Sequence, residues 1–256
     1  MSENTLTIDQ RTFDETHDFV STIKGWMTPA QARRLWDSAT ALQPGARIVE
    51  IGSYYGRSTV LLATAVEPGV EVIAIDPHGS NVRNHEVEEG LEEQADAMSK
   101  AFLAELERGG VSDRVNYIRK SSHAALWDVE GQVDLLYIDG SHDFFPAKAD
   151  MVEWGARVAP GGTMMIHDSY TSVGVTLAIM ACLWPSTKFR FVGRSGSLAE
   201  FRRENMTGPQ RRKNIAAHLK QLPNFVRNLI VEVMLLARLR PLTKFLGYDT
   251  KLDWPH

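Results

Sequence analysis

The chain has 256 residues, a formal net charge of −4 and an ordinary composition, with 43% hydrophobic and 23% charged residues. This length and balance predict a globular protein with a sizeable core and argue against disorder of the whole chain. The single cysteine excludes a disulfide framework and a cysteine-based zinc site. Because the polar start lacks a secretion signal and no apolar run can span a bilayer, we expect a cytoplasmic protein without a transmembrane segment.

The first predicted strand runs into a glycine-spaced loop. The run 47–59 reads as an apolar strand, a loop bounded by Gly52 and Gly56, and the start of a helix. Glycines at these points let the backbone turn sharply and lie close to a ligand, and Ser53 and Ser58 add short hydroxyls. The loop favours a nucleotide-like cofactor, although glycine pairs also occur in ordinary strand-to-helix turns.

The next predicted strand, 71–76, ends in a carboxylate. Asp76 follows the glycine loop by about twenty residues, the position at which such folds bind the two hydroxyls of a ribose. The helical pattern that follows, 86–107, begins with a dense run of acidic residues and then becomes amphipathic. We interpret it as a solvated helix face, with part of a lid over the acceptor as the alternative.

Strand and helix patterns alternate along the rest of the chain. Five more strands are predicted, at 115–119, 133–139, 163–168, 188–193 and 197–201. Helices are predicted at 31–42, 58–66, 145–158 and 172–183, in addition to 86–107. The pattern predicts an α/β fold, a doubly wound Rossmann-like seven-stranded sheet that is mostly parallel and has helices on both faces. Residues 160–162, Pro-Gly-Gly, are the expected turn before the fifth strand, and the short turn at 194–196 predicts an antiparallel terminal hairpin.

The C-terminal part of the chain is basic. From Arg202 onward it has 11 lysines and arginines against 4 acidic residues. Within it, residues 224–240 are apolar around much of a helix circumference, which predicts a helix packed on its own domain or on a second subunit of a homodimer. A helix on a membrane surface or against an anionic partner is the alternative. No nucleic-acid partner is expected, because the basic residues are not interleaved with aromatic ones.

Chemistry-bearing residues follow the ends of several predicted strands. Ligands of open parallel sheets bind beyond the carboxyl ends of the strands, so Gly52, Asp76, Asp139 and Asp168 should lie near one another. Asp139 and Asp168 end adjacent strands, an arrangement in which two carboxylates hold one hard divalent cation. His142 follows on a loop facing the same cleft and is a candidate general base, with a hydrogen-bonded loop histidine as the alternative.

These residues carry a family resemblance. Residues 133–142, Val-Asp-Leu-Leu-Tyr-Ile-Asp-Gly-Ser-His, precede a long helix, the Pro-Gly-Gly at 160–162 and a strand ending in His167-Asp168. This ordered set, within 46–168, resembles the metal-dependent class I S-adenosylmethionine O-methyltransferases, in the group with the macrolide-sugar and cephalosporin-type enzymes. The resemblance implies three parts, listed in chain order: an N-terminal helical segment 1–45, an S-adenosylmethionine-binding methyltransferase domain 46–204, and a basic helical C-terminal segment 205–256.

The resemblance also implies roles for the matched residues. The methionine end of S-adenosylmethionine would be bound by Glu50, Gly52, Ser53, Gly56 and Ser58, its ribose by Asp76, and its adenine would lie beside Ser121 and Ser122. The ligands of a divalent metal, with Mg²⁺ as the expected ion, would be Asp139, His167 and Asp168, and His142 would be the base. His167 replaces a glutamate of some relatives; because imidazole is a softer ligand, it either favours a transition metal or turns away from the ion.

The expected reaction follows from the donor's chemistry. A sulfonium methyl is already activated, so the enzyme has to align an acceptor oxygen and help remove its proton. A nearby divalent cation lowers the pKa of a hydroxyl, and His142 is placed to accept the proton. Saccharide hydroxyls need this help more than phenols, so a saccharide or glycosylated acceptor is predicted. The chain as a whole also resembles polysaccharide O-methyltransferases, which implies the 1-hydroxyl of a 3-O-methylmannose oligosaccharide as one acceptor. The side chains able to stack on a sugar ring, unless they belong to the core, are Trp26, Tyr54, Tyr55, Trp127 and Phe144.

Three alternatives stay open at this point. The first is an O-methyltransferase whose acceptor is a small-molecule natural product. The second is a nicotinamide-dependent oxidoreductase, which should have a third glycine where Arg57-Ser58-Thr59 stand, should continue its sheet in parallel and gives no role to the strand-end acids. The third is a non-catalytic scaffold that binds the donor and recruits a membrane or a partner through its basic tail.

Overall fold

The computed structural model describes residues 11–79 and 91–237, so parts of the predicted helices 86–107 and 224–240 lie outside the described residues. The strands are β1 (Arg47–Ile51), β2 (Glu71–Ile75), β3 (Val115–Ile118), β4 (Val133–Ile138), β5 (Val158–Ile166), β6 (Phe189–Ser195) and β7 (Leu198–Arg203). The helices are α1 (Phe13–Ser21), α2 (Pro29–Thr40), α3 (Arg57–Ala65), α4 (Leu91–Gly109), α5 (Ser122–Ala125), α6 (Phe144–Glu153), α7 (Val173–Cys182), α8 (Gly208–Leu219) and α9 (Leu222–Leu236).

The seven strands form one sheet in the order β3-β2-β1-β4-β5-β7-β6. The first five strands pair in parallel, whereas β7 runs antiparallel to both β5 and β6. The predicted fold class is therefore confirmed, including the antiparallel terminal hairpin. The chain leaves β1 toward β2 on one side and returns to β4 on the other, which makes the carboxyl edge between β1 and β4 the switch point where ligands of such sheets bind.

Strand register brings the predicted site residues to one level. Ile51 is level with Ile75 in β2 and with Ile138 in β4, and Ile138 is level with Ile166 in β5. Each of these isoleucines is the last residue of its strand, and each is buried. The residues that follow therefore leave the sheet side by side.

The start of β5 differs from the sequence-based expectation. Residues 160–162, expected as a turn before the strand, lie inside β5, where pairing with β4 jumps from Val133–Val158 to Leu135–Thr163. Between these two pairs β5 has more residues than β4, so it bulges there. Pro160, Gly161 and Gly162 lie in this bulge, where they do not interrupt regular pairing. Strand β5 also ends at Ile166, so His167 and Asp168 belong to the turn that follows it.

The two faces of the sheet carry separate apolar cores. One core includes Trp154 and Phe201 beneath α6 and α7, and the other includes Leu35 and Leu61 beneath α2 and α3. Both terminal segments pack on the sheet: Arg34 of α2 pairs with Glu200 of β7 at 2.5 Å, and α8 contacts β6. Neither segment is a detached appendage among the described residues.

Candidate active site

A cavity of about 1030 Å³ opens at the carboxyl edge of the sheet. It is lined by the loops after the five parallel strands, β1 to β5, and by the connection between α1 and α2. Ten predicted site residues line it: Gly52, Ser53, Ser58, Asp76, Ser121, Ser122, Asp139, His142, His167 and Asp168. The volume lies at the upper end of the range for small-molecule sites, so a nucleotide-like donor and an acceptor fit together.

Glu50 and Gly56, which are predicted to bind the donor, are not among the residues that line this cavity. The Glu50 carboxylate is completely buried and accepts hydrogen bonds from the hydroxyls of Ser58 and Thr59, so it fixes the start of α3 against β1. Burial raises the pKa of Glu50 to about 7. Gly56 caps α3 with φ 87°, and a β-carbon on it would lie 3.2 Å from the Phe102 ring.

The Asp76 carboxylate is held by two backbone amides. The amide of Tyr54 donates to its Oδ2 at 2.8 Å, and the amide of His78 donates to its Oδ1 at 2.7 Å. His78 is buried, with its two ring nitrogens 2.6 Å from the Tyr117 hydroxyl and 2.6 Å from the Tyr54 carbonyl oxygen. Sequence reasoning missed His78 and Tyr117; the only local signal was a histidine two residues after the strand-end acid.

Asp139, His142 and Asp168 converge as the sequence predicted. One ligand atom from each lies within 4.8 Å of the others. The Nε2 of His142 is 2.9 Å from Oδ2 of Asp168, while the side chain of His142 stays 46% exposed toward the cavity. This arrangement brings together side chains from the ends of two neighbouring strands.

Charges within this cluster are mutually stabilised. The hydrogen bond to Asp168 raises the pKa of His142. Burial alone would raise the pKa of Asp168, but the hydrogen bond from His142 and the nearby Nδ1–H of His167 hold it well below its usual range. The Tyr137 hydroxyl donates to Oδ2 of Asp139 at 2.8 Å, and burial together with the Asp139 charge raises the pKa of Tyr137, so this donor stays protonated.

His167 lies deeper than His142 and is only 7% exposed. Its Nδ1 lies 3.1 Å from Oδ1 of Asp139 and 3.4 Å from Oδ2 of Asp168, yet it has no well-aligned hydrogen bond among the described residues. Its Nε2 is 3.3 Å from Nε2 of Gln31, whose Oε1 accepts from the Thr28 amide in the cap of α2. That cap fixes the Gln31 amide as a donor toward His167, so the Nδ1 proton faces the two carboxylates.

The donor set fits a divalent cation. Asp139, Asp168 and His142 offer two carboxylates and an imidazole nitrogen, which are common ligands of such ions. Asp139 and Asp168 would hold the ion, and His142 lies beside them. His167, with its proton turned toward both acids, is placed to orient them rather than to coordinate.

Aromatic residues from two loops form the rim of the cavity. Trp26 is 55% exposed and stacks on Tyr54, with ring centroids 5.9 Å apart and planes inclined by 24°. The Lys24 ammonium lies 4.9 Å from the centroid of Tyr55. These three aromatic residues line the cavity, whereas the other two candidates do not: Trp127 is exposed elsewhere, and Phe144 packs on the core.

Backbone strain is concentrated around the site. In the described ranges, the non-glycine residues with positive φ are Tyr54, His78, Asp168 and Tyr170, at 46°, 45°, 54° and 61°. The first three line the cavity, and Tyr170 lies two residues beyond Asp168. Such conformations cost about 1–3 kcal/mol each and cluster at functional sites.

Fold and site together define a Rossmann-like methyltransferase fold. Residues 49–169 match the family model described as a methyltransferase domain. This segment contains the glycine loop, Asp76 and the cluster of Asp139, His142 and Asp168. The prediction of an S-adenosylmethionine-dependent methyltransferase domain is supported by this match.

Solved structures show the same fold at low sequence identity. The SAH-bound methyltransferase PaMTH1 of Podospora anserina superimposes with a TM-score of 0.56 and 16% identity, over 75% of this chain and 88% of that one. Cofactor-bound Rv0187 from MTB gives a TM-score of 0.55 and 17% identity, over 76% and 88% of the two chains.

Two curated proteins share part of the sequence. The uncharacterized protein y4gI of Sinorhizobium fredii is 29% identical over 62% of this chain, and the O-methyltransferase hkm8 of Aspergillus hancockii is 28% identical over 55%. The matched regions span only 17% and 49% of those proteins. In the part of the chain that the structure describes, every helix is too short or too polar to cross a membrane.

Proposed function

We propose that the chain is an S-adenosylmethionine-dependent O-methyltransferase. The observation that carries this proposal is one cavity with two parts. The loops after β1 and β2, with Gly52 and Asp76, line one part, and the cluster of Asp139, His142 and Asp168 lines the other. The cofactor-bound and SAH-bound structural neighbours support the donor, and the name of the relative hkm8 supports transfer to oxygen. A nicotinamide enzyme would leave the acid and histidine cluster without a role.

The donor would lie along the loops after β1 and β2. Asp76 would bind the ribose hydroxyls, because its two oxygens are fixed by backbone amides and each retains a second lone pair. Gly52 and Ser53 would face the methionine end, and Ser121 and Ser122 the adenine. Glu50 would act from beneath, by fixing the start of α3.

A divalent cation held by Asp139 and Asp168 would supply positive charge that lowers the pKa of the acceptor hydroxyl. His142 would take the proton of that hydroxyl at Nδ1, because its Nε2 donates to Asp168 at 2.9 Å and that carboxylate stabilises the imidazolium that forms. Because His142 is both part of the cluster and exposed to the cavity, the same side chain satisfies the geometry of a ligand and of a base. We assign it the base, and we expect Mg²⁺ as the ion because two carboxylates dominate the set.

We further propose a saccharide or glycosylated acceptor. An exposed indole stacked on a phenol ring offers a flat apolar surface to the C–H face of a pyranose, and Trp26 with Tyr54 provides it at the cavity rim. Lys24 beside them adds a hydrogen-bond donor for sugar hydroxyls. Because of the resemblance to polysaccharide O-methyltransferases, the acceptor screen includes a 3-O-methylmannose oligosaccharide with a free 1-hydroxyl, beside unmethylated sugars and glycosylated natural products.

A homodimer is proposed from α9. Its exposed aliphatic residues follow a helical spacing of three and four positions: Val226, Leu229, Ile230 and Val233. Such a stripe suits packing against a second copy of the same helix. Light scattering of the chain and of a Val233→Lys variant tests this contact, since only the unchanged chain should have the mass of a dimer.

The experiment is a methyl-transfer screen over these acceptors, with and without EDTA, together with calorimetry of donor binding. We expect EDTA to abolish turnover and His142→Ala to lower it about 100-fold or more, with donor affinity nearly unchanged. His123→Ala is the matched control, because His123 is also exposed and paired with an acid, Glu153, at 2.9 Å. Full activity of His142→Ala or Asp139→Ala contradicts the assignment, and donor binding without transfer to any acceptor favours a scaffold.

A further inference from the structure

The turn that carries Asp168 is connected to the C-terminal helices through Tyr170. Tyr170 is fully buried two residues after Asp168, and its hydroxyl lies 2.6 Å from Nδ1 of His218 on α8. His218 is also fully buried and is not among the residues that line the cavity. A residue fifty positions away in sequence therefore reaches the backbone of the proposed metal ligand through one hydrogen bond.

The surroundings of His218 are aromatic. Its ring centroid lies 5.5 Å from that of Trp184, 5.2 Å from that of Phe191 and 5.9 Å from that of Phe201. Burial lowers the pKa of His218 to about 4, so the imidazole is neutral near neutral pH and its Nδ1 shares a hydrogen bond with the Tyr170 hydroxyl. Its Nε2 is buried without a hydrogen-bond partner among the described residues. A buried nitrogen without a hydrogen-bond partner destabilises the fold, and an apolar side chain would fill the same space without this cost. Packing alone therefore does not account for a histidine here.

A second connection runs from α9 to the same residue. The side-chain amides of Asn228 and Asn224 donate to the carbonyl oxygen of Tyr170, at 3.2 Å and 3.5 Å. Side chain and carbonyl of Tyr170 are thus both held by the C-terminal helices. Both Tyr170 and Asp168 have left-handed backbone conformations that a non-glycine residue adopts only when its surroundings enforce them.

We propose that His218 is a positioning residue: through Tyr170 it holds the strained turn in which the carboxylate of Asp168 faces Asp139 and His142. The inference rests on the proposed function, because that function gives Asp168 its role as a cation ligand. It makes the C-terminal segment a component of the active site. Loss of the hydrogen bond lets the turn relax toward ordinary backbone angles, which rotates Asp168 away from the cluster.

The test compares Tyr170→Phe and His218→Phe with the unchanged full-length chain. Calorimetry with Mn²⁺ measures the cation site, and we expect each variant to bind the ion about tenfold or more weakly, as is usual when a residue that orients a ligand is removed. Donor affinity should be unchanged, because the Asp76 side of the cavity is not involved. His218→Gln should recover part of the affinity, since the glutamine amide both donates and accepts and so can restore a hydrogen bond with the Tyr170 hydroxyl.

Asn214→Ala is the matched control on the same helix. The Asn214 side chain accepts from the Phe191 amide at 2.8 Å and donates to the Phe189 carbonyl at 3.3 Å, so it connects α8 to β6 without contacting Tyr170. This variant should lower Tm while leaving Mn²⁺ affinity unchanged. A general loosening of α8 would instead weaken Mn²⁺ binding in Asn214→Ala as well, and that result contradicts a specific role for His218.

Hydrogen exchange separates this proposal from the proposed function. Exchange of the 166–172 amides should be faster in Tyr170→Phe and unchanged in Asn214→Ala, whether or not a metal binds. Unchanged exchange in Tyr170→Phe overturns the positioning role. If the unchanged chain binds Mn²⁺, equal Mn²⁺ affinity in Tyr170→Phe or His218→Phe overturns it as well. Absence of Mn²⁺ binding by the unchanged chain, with faster exchange in Tyr170→Phe, overturns the cation site and supports the role of Tyr170 and His218 in holding the turn.

Discussion

Gly52 lies so close to the backbone of Asp139 that a β-carbon on it would overlap the Asp139 carbonyl and come within 2.8 Å of the Gly140 Cα. Hydrogen bonds fix this approach on both sides: the Asp139 amide donates to the Ile51 carbonyl at 2.8 Å, and the Gly52 amide donates to the Ile75 carbonyl at 2.9 Å. The loop proposed to hold the donor and the strand end proposed to hold the metal are therefore in direct backbone contact.

Gly52→Ala should disrupt both halves of the site. The left-handed backbone, φ 87°, costs an alanine about 1–2 kcal/mol, and overlap with a fixed backbone adds to that cost. We expect a large fall in Tm and a loss of donor binding by calorimetry. Gly45→Ala is the control, because Gly45 has φ 91° with open space around it. This substitution should carry only the cost of the left-handed backbone, without any steric overlap. Equal effects of the two substitutions would contradict the role given to the contact between Gly52 and Asp139.

Gly174→Ala should impair the reaction without changing any reacting group. Gly174 lies in the first turn of α7, where a β-carbon would overlap the His142 carbonyl and come within 2.8 Å of the Phe144 amide nitrogen. The loop carrying His142 must then shift, so turnover should fall about 10-fold or more while donor affinity is retained. Gly208→Ala, in the first turn of α8 with open space around it, should leave turnover unchanged. Steady-state kinetics on any accepted substrate measures the difference.

Asp76→Asn should weaken donor binding. Asp76 accepts a hydrogen bond from a backbone amide on each carboxylate oxygen, and the side-chain NH₂ of asparagine would face one of these amides donor to donor. The substitution also removes the charge that strengthens hydrogen bonds to ribose hydroxyls. We expect the donor Kd to rise by about 10-fold or more. Asp134→Asn is the control, because Asp134 also accepts from a backbone amide, that of Arg47 at 2.8 Å, at the opposite end of the sheet. A donor Kd that does not change in Asp76→Asn would exclude the ribose contact.

Glu50→Gln should change how stability depends on pH. Burial raises the pKa of Glu50 from 4.5 in the unfolded chain to about 7, so between these values the folded state holds a proton that the unfolded state has released. The free energy of unfolding therefore falls as pH rises from about 4.5 to 7, by about 1.4 kcal/mol per unit of pKa shift. Glutamine does not titrate, so this fall in the free energy of unfolding should be absent from the variant. The stability of the variant relative to the unchanged chain should therefore be higher at pH 8 than at pH 5.

Denaturation at pH 5 and pH 8 measures this difference. Asp150, whose pKa is raised to about 6 by burial, contributes a slope of the same sign in both chains, so the difference between the chains isolates Glu50. Parallel slopes in the two chains would show that Glu50 is ionised throughout this range.

The alternation of elements could be predicted from the sequence because its signals are local. Apolar strands, glycine turns and acids at strand ends are read from neighbouring residues, and the rule that ligands bind beyond parallel strand ends then places Asp76, Asp139 and Asp168 at one edge. The same local signals do not show that Glu50 and Gly56 lie away from the cavity lining, since a position in a motif does not reveal which side of the backbone faces a cavity.

Tertiary structure alone decided which distant side chains meet. The contact of Gln31 with His167 and that of Tyr170 with His218 join residues 136 and 48 positions apart, through the docking of terminal helices on the sheet. No periodicity or motif encodes such pairs, because they depend on how whole elements pack and on which buried polar groups need partners. The sequence by itself determined the fold class and the side chains at the sheet edge. Packing decided how those side chains are held, since a side chain is fixed by all its neighbours in space and only a few of these are neighbours in the chain.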